Sequence, residues 1–349
     1  MLFPHVTSFS YLFLVASSRG APDKLLIQKR ASPNYDWCFQ TTKQRALENR
    51  VIAQPRGRVL GGSSAINFMI AAHPSAADID AWGRLGNAGW DWATLSAYYR
   101  RSETLQLDDH HPSAGPSSSS EAPFDRGLYG TDGPMKMSLP HGSEDEGTVD
   151  AAWRLSMAAL GLAARDDPRR GDTLGAYAVL KYVDAASGWV RSYAAKSYYE
   201  PVRDARKNNL VVCTGAHVTR ILLHDVDSNS SDRDSRFEKA ANAVEFEVGG
   251  EVYVARADRE VILSAGAFQS PQILELSGIG HPDALKKAGI DVAVESPGVG
   301  ENLQVRSETR KAYPACRCSS FLSDIRYIGP PTCAHRLRGS RRRSYRRDA

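Results

Sequence analysis

The chain predicts an α/β fold, and three observations carry that prediction. A glycine-rich loop runs through residues 55–70 (PRGRVLGGSSAINFMI). A strand–turn–helix pattern occupies 260–280 (EVILSAGAFQSPQILELSGIG). The 349 residues are 42% apolar, with a mean hydropathy of −0.39, which suits a soluble, globular body of one large or two modest domains.

In the loop, Gly57, Gly61 and Gly62 lie among small or polar residues, and Val59, Leu60 and Ile66 flank them. Glycine lets the backbone approach a bulky ligand and adopt positive φ. Ser63 and Ser64 add hydroxyl and N–H groups where a helix could start. The combination suits an anion or cofactor cradle, and equally a glycine turn capping an ordinary helix. It is neither G-x-G-x-x-G nor a P-loop, because no Lys follows the glycines. In the second stretch, Val261, Ile262 and Leu263 read as a buried strand ended by Ser264-Ala265-Gly266. Ser270-Pro271 then opens a helix, with Pro at the first helical position, and Gly278 and Gly280 close it. That order places a ligand at the carboxyl end of a sheet strand.

GRVLGGSSAIN and GAFQSPQILELSGIG resemble the two signature segments of the glucose–methanol–choline (GMC) oxidoreductase family of FAD enzymes. NYDWCFQTT at 34–42, DIDAWGRLGNAGWDW at 78–92, SGWVRSYAAKSYYEPV at 187–202 and GVGENLQ at 298–304 extend the resemblance over about 33–304. It implies a Rossmann-like FAD-binding domain, incomplete at its N-terminus and formed from 33–134 and 203–304. Residues 135–202 then form part of an α+β substrate domain. It also implies that Arg58, Val59, Gly62, Ser63, Asn67, Phe68, Met69, Ile70, Val218, Ala265 and Gly266 contact FAD. Val218 would do so through its backbone beside the adenine. The loop at 57–64 and the segment at 261–277 are expected to close on one flavin nucleotide.

Along the chain, Tyr11–Ala16 is too short and too poorly flanked for a membrane span or a signal peptide, and residues 1–32 are left unassigned. The basic run Lys24–Arg30 does not replace the G-x-G-x-x-G turn that such FAD domains begin with, and none occurs before Pro33. Asp36-Trp37 and Thr41–Arg50 form an irregular lead-in. Trp82, Trp90, Trp92, Tyr98 and Tyr99 are expected in a core, with a helix over 92–105 turning Leu95, Tyr98 and Tyr99 inward. His73 has no ligand partner at metal spacing. Residues 108–127 are a loop. Met135–Ser138 reads as a strand after the turn Gly130–Pro134, and Val149–Leu162 as an amphipathic helix. Asp166–Arg170 is a charged turn. Arg191-Ser192 is expected to start a helix, which is preferred to a pairing of Arg191 and Lys196 on an acidic substrate. Leu210–Val212 and Val218–Leu223 read as strands. Ala243–Phe246 with Val252–Ala255 reads as a hairpin, and Ala284–Ala288 as a short helix. Asn229-Ser230-Ser231 is a formal glycosylation sequon.

The net charge of +4 is concentrated at one end. Residues 301–349 hold 12 Lys/Arg against 4 Asp/Glu, a net +8, which leaves 1–300 at −4. The body therefore gives no reason to expect nucleic acid. Cys316 and Cys318 have the wrong spacing for a zinc or thioredoxin-type site. Residues 305–349 have no apolar period and no family likeness, and are expected to be disordered.

The resemblance implies oxidation of a small-molecule alcohol, with hydride passing to flavin and a His base in the last third of the family's sequence. No residue here matches that base, so no catalytic residue and no metal ligand is assigned. On these grounds the chain is expected to bind FAD weakly or not at all and to lack activity. Two readings stay open: an FAD-dependent oxidoreductase acting on CH–OH groups, or a non-catalytic remnant or interaction protein with a basic arm.

Overall fold

The computed structural model describes residues 11–15, 33–107, 125–139, 149–162, 167–177, 179–226 and 238–303. In chain order the first elements are β1 (Tyr11–Val15), β2 (Phe39–Gln40), β3 (Ala53–Gln54), α1 (Ala76–Arg84) and α2 (Trp92–Ser102). There follow β4 (Glu103–Gln106), β5 (Met135–Ser138), α3 (Val149–Ala159), β6 (Val183–Asp184) and β7 (Val190–Arg191). Then come β8 (Leu210–Thr214), β9 (His217–Asp225), β10 (Lys239–Val248) and β11 (Glu251–Arg256). The last are α4 (Gly266–Leu276), β12 (Ile279–Gly280), α5 (Pro282–Lys287) and β13 (Val294–Glu295). They fall into two compact units. One holds the described residues up to Leu60 and those from Lys207 on, and the other holds Gly61–Arg206.

The first unit is built on the antiparallel sheet β9–β10–β11. Its branched and aromatic residues favour strand, and β10 and β11 meet at the two-residue turn Gly249-Gly250, the signature of a tight hairpin. Arg220 and Glu245, directly opposite on β9 and β10, form a two-pronged ion pair at 3.0 and 2.9 Å. Helix α4 is tied to β9 by Ser277, whose Oγ accepts from the Ile221 N–H at 2.8 Å and donates to Ile273 O at 2.6 Å. Ile221 and Ile273 are both buried. Strand β8 runs parallel to β1, from Tyr11 opposite Leu210 to Val15 opposite Thr214.

The second unit packs around Met137, Leu139, Leu180, Tyr129 and Ala71. Strands β4 and β5 pair in parallel, and Ser138 and Lys181 exchange backbone hydrogen bonds at 3.0 and 2.9 Å. Asp91 caps α2 by accepting from Thr94 N–H at 2.8 Å, and Asp80 of α1 accepts from Trp92 N–H at 2.8 Å, so the two helices are locked together at the cap.

The strands at 135–138, 210–214 and 217–225, the hairpin, and the helices α3 and α5 form where the pattern predicts. Five expectations need correction. Val261–Leu263 is not a strand; no described segment pairs with it, and Ile262 is exposed. Helix α4 starts at Gly266, so Pro271 lies inside it rather than at its first position. Ser63-Ser64 form a single 3-10 turn, Gly62–Ala65, not the start of an α-helix. Tyr98, Trp82 and Trp90 are exposed; α2 has no buried residue and only half covers the face of Trp92, Leu95, Ser96 and Tyr99, and the two indoles satisfy each other edge to face at 5.7 Å. Arg191 ends β7, and the helical turn begins later, at Ala195. Lys24–Arg30, most of the 108–127 loop, the Asn229 sequon, Cys316, Cys318 and the basic tail lie outside the described residues.

Candidate functional site

In the second unit the loop from Gly61 to Ile70 is held from several sides. Gly61 has φ +92°, and a Cβ there would sit 2.8 Å from the Tyr193 ring, so both backbone and packing require glycine. Gly62, at φ +58°, faces open space instead. Ser64 Oγ donates to Gly61 O at 2.5 Å and accepts from Ala194 N–H at 3.2 Å. Ala65 and Ile66 point inward and are buried.

The chain then turns outward. Met69 takes the left-handed conformation, φ +64°, which costs a side-chain-bearing residue about 1–2 kcal/mol. Asn67 stabilises it, its Oδ1 accepting from Met69 N–H at 2.9 Å, and Met69 O accepts from Tyr182 N–H at 2.7 Å. Arg191, buried, fastens the whole turn. Its guanidinium donates to Ser64 O at 3.1 Å, to Asn67 Oδ1 at 2.8 Å and to Asn67 O at 2.9 Å. On this fixed backbone Phe68 and Ile70 are 56% and 50% exposed. Rigid backbone under two exposed large apolar side chains is the arrangement of a contact surface for an apolar or aromatic ligand.

In the first unit, Arg58 stands at one end of a run of aromatic contacts that reaches His217, beside Val218, and Phe268 of α4. The Arg58 guanidinium lies over Trp37, 4.9 Å from its centroid. Trp37 stacks on Phe39 at 6.0 Å and leans on His217, the neighbour of Val218, at 5.7 Å. Phe39 meets Phe268 of α4 edge to face at 6.1 Å, and Arg56 lies over Phe268 at 4.3 Å. Burial first, with the Arg58 charge adding to it against the opposing charge of Glu247, keeps the His217 imidazole below its usual range. Buried Asp36 braces the lead-in, accepting from Cys38 N–H at 3.0 Å and Arg56 N–H at 2.9 Å. Val59 is buried. Gly266 has φ +90° with open space on its Cβ side, and no side chain caps α4 at Ala265. The first N–H groups of α4 therefore point out unclaimed by a cap, as an anion-binding helix start requires.

Each predicted residue thus belongs to one of two local constructions. Arg58, Val59, Val218, Ala265 and Gly266 belong to the first unit, and Gly62, Ser63 and Asn67–Ile70 lie on one loop of the second. Sequence reasoning missed Arg191 as an anchor, and missed Trp37 and His217 as the rings beside Arg58. A His immediately before Val218 and a Trp beside an acidic residue in the lead-in were the available signals.

The sequence model of the family described as GMC oxidoreductase matches residues 11–308, reaching back past Pro33 where the motif resemblance begins. A dehydrogenase (mpl7) of Monascus purpureus is 41% identical over 288 residues, 82% of this chain and 43% of its own length. Human mitochondrial choline dehydrogenase is 32% identical over 279 residues, 80% of this chain and 41% of its own. The solved FAD-dependent oxidoreductase of Chaetomium thermophilum superposes with a TM-score of 0.67 at 30% identity, covering 82% of this chain and 46% of that one. The chain spans less than half the length of each of these relatives. On the family match, the two intact signature segments and the shared architecture, this chain belongs to the GMC oxidoreductase family and has its α/β fold.

Proposed function

We propose that the chain binds FAD and serves the oxidation of a CH–OH group in a small-molecule alcohol. The observation that carries this reading is the Gly62–Ile70 loop, fixed by Arg191 while Phe68 and Ile70 stay exposed. The residues fit the cofactor. Gly62 and Gly266 leave open space where a side chain would intrude, and α4 begins without a side-chain cap.

In the first unit Arg58, Val59, Val218, Ala265 and Gly266 would hold the group. Arg58 offers a cation already oriented by Trp37, Val59 and Val218 offer backbone, and Ala265-Gly266 offers the helix start. In the second unit Gly62, Ser63, Asn67, Phe68, Met69 and Ile70 would do so, Phe68 and Ile70 supplying apolar surface. FAD would supply there the acceptor for the hydride that a CH–OH group loses. What the chain's own residues do is orient: Arg191 holds Asn67, Asn67 holds Met69, and the turn keeps one shape. No described helix is long and apolar enough to cross a membrane.

The test is reconstitution. The full chain is incubated with excess FAD, desalted and read for visible flavin absorbance, and then mixed with primary and aromatic alcohols. Retained flavin is the expected result and would overturn the expectation of weak or absent binding, whereas bleaching by an alcohol needs a base that no residue of this chain matches in the family. A chain that elutes colourless from saturating FAD would leave the family fold in place and remove the function.

A further inference from the structure

A cavity of about 260 Å³ lies in the second unit, between α2 and the turn at Pro168–Arg170. Its α2 wall is Trp92, Ser96, Tyr99 and Arg100, spaced as one face of a helix. Leu128, Arg169 and Arg170 face it. The volume is below the usual range for drug-sized ligands and suits a small one.

Three guanidinium groups share this space, and among the described residues two of them have a carboxylate partner. Arg169 is buried and paired with Glu103, which is itself buried, with the His73 ring packed against it. Arg170 pairs with Asp125 at 2.6 Å near the surface. The neighbouring Asp167 carboxylate is engaged elsewhere, accepting from Tyr129 Oη–H at 3.0 Å and from the Arg169 and Asp125 backbone N–H groups at 2.8 and 2.9 Å. Arg100 stands as the third cation on the same wall. It is close enough that its charge joins burial in holding the Arg169 guanidinium down at about 10, against the opposing phenols of Tyr182 and Tyr99. Like charges facing one cavity are relieved by an anion placed between them. The rest of the wall, Trp92, Tyr99 and Leu128, is aromatic or aliphatic, so the favoured anion carries an apolar body.

We propose that this cavity binds a small organic carboxylate. Its carboxylate would lie at Arg100 and Arg169, and its ring or alkyl part against Trp92, Tyr99 and Leu128. The site stands on its own geometry and does not depend on FAD.

Benzoate is the probe, with neutral benzamide and inorganic phosphate as comparisons, titrated into the full chain and followed by indole fluorescence and calorimetry. Benzoate is expected to bind saturably and at least about tenfold more tightly than benzamide or phosphate, the scale of one charge-assisted hydrogen bond. Arg100→Gln is expected to weaken benzoate about tenfold while leaving the urea midpoint of the free chain unchanged, because Arg100 is exposed. Ser96→Phe keeps every charge and fills the cavity, and should abolish binding. Benzoate binding that survives both variants, phosphate binding equal to benzoate, or no saturable binding at all would overturn the proposal.

Discussion

Replacing Arg191 with Met keeps the bulk of the side chain and removes every donor. Three hydrogen bonds vanish, to Ser64 O, Asn67 Oδ1 and Asn67 O at 3.1, 2.8 and 2.9 Å. Bonds from a charged donor contribute about 1.5–3 kcal/mol each. Two of the acceptors belong to exposed Asn67 and regain water; Ser64 is only partly exposed, so its carbonyl is hydrated less completely. Removing a buried guanidinium also recovers part of its desolvation cost. The expected net loss is about 2–3 kcal/mol.

Two assays read this loss. Urea unfolding gives the magnitude, followed by probes in the Gly61–Arg206 unit, since a chain of two compact units need not unfold in one step. Hydrogen exchange gives the location: Asn67 and Met69 N–H, bonded to Ser63 O at 3.0 Å and Asn67 Oδ1 at 2.9 Å, should exchange faster in the variant. Arg191→Lys should recover only a minor share, because an ammonium cannot reproduce a planar fork reaching three acceptors. A midpoint loss under about 0.5 kcal/mol, with unchanged exchange at those two amides, would refute the reading of Arg191 as the anchor of the loop.

Three other outcomes follow from the same geometry. Burial first, and the Arg169 charge second, pull His73 down to about 3, so the folded chain stays unprotonated there while the unfolded chain takes a proton near pH 6.5. The chain should therefore lose stability as pH falls from about 6.5 toward 3, with about 2 kcal/mol gone between about pH 7 and 5, and His73→Asn should flatten that slope in urea titrations at each pH. Gly61→Ala meets both a positive φ and the Tyr193 ring and should cost about 2–4 kcal/mol, whereas Gly62→Ala meets open space and should cost about 1 kcal/mol, yet lower flavin retention on desalting. Met137→Ala opens a hole in the second unit's core and should cost about 2–5 kcal/mol by denaturant unfolding.

The parts of the fold that were legible in the sequence are those written locally. Alternating branched residues and a Gly-Gly turn are enough to specify β10 and β11, because strand pairing across two residues involves no distant partner. The short helix α5 was readable for the same reason: His281 at its cap and Pro282 at its first position are adjacent signals. Val261–Leu263 was not readable, because an apolar run becomes a strand only when another strand meets it, and none of the described segments does. Trp82, Trp90 and Tyr98 misled for a related reason. An aromatic side chain carries a large burial drive, but whether it is used depends on what the fold places opposite.

The same division runs through the candidate site. Gly61 and Gly62 are adjacent in sequence and look interchangeable there, yet Tyr193 makes one a packing requirement and the open side of the other leaves room for a ligand. The distinction comes from a residue far along the chain, as does the anchor, since Arg191 lies 127 residues from Ser64. The motif records where the backbone must be permissive, and Arg191 determines which permitted shape is adopted. A permissive loop with no distant anchor would populate many conformations and would have to be ordered by its ligand at the ligand's expense in affinity. With the anchor in place that ordering is done in the free chain. Loss of Arg191 should therefore weaken flavin retention even where Phe68, Ile70 and every glycine of the loop are intact.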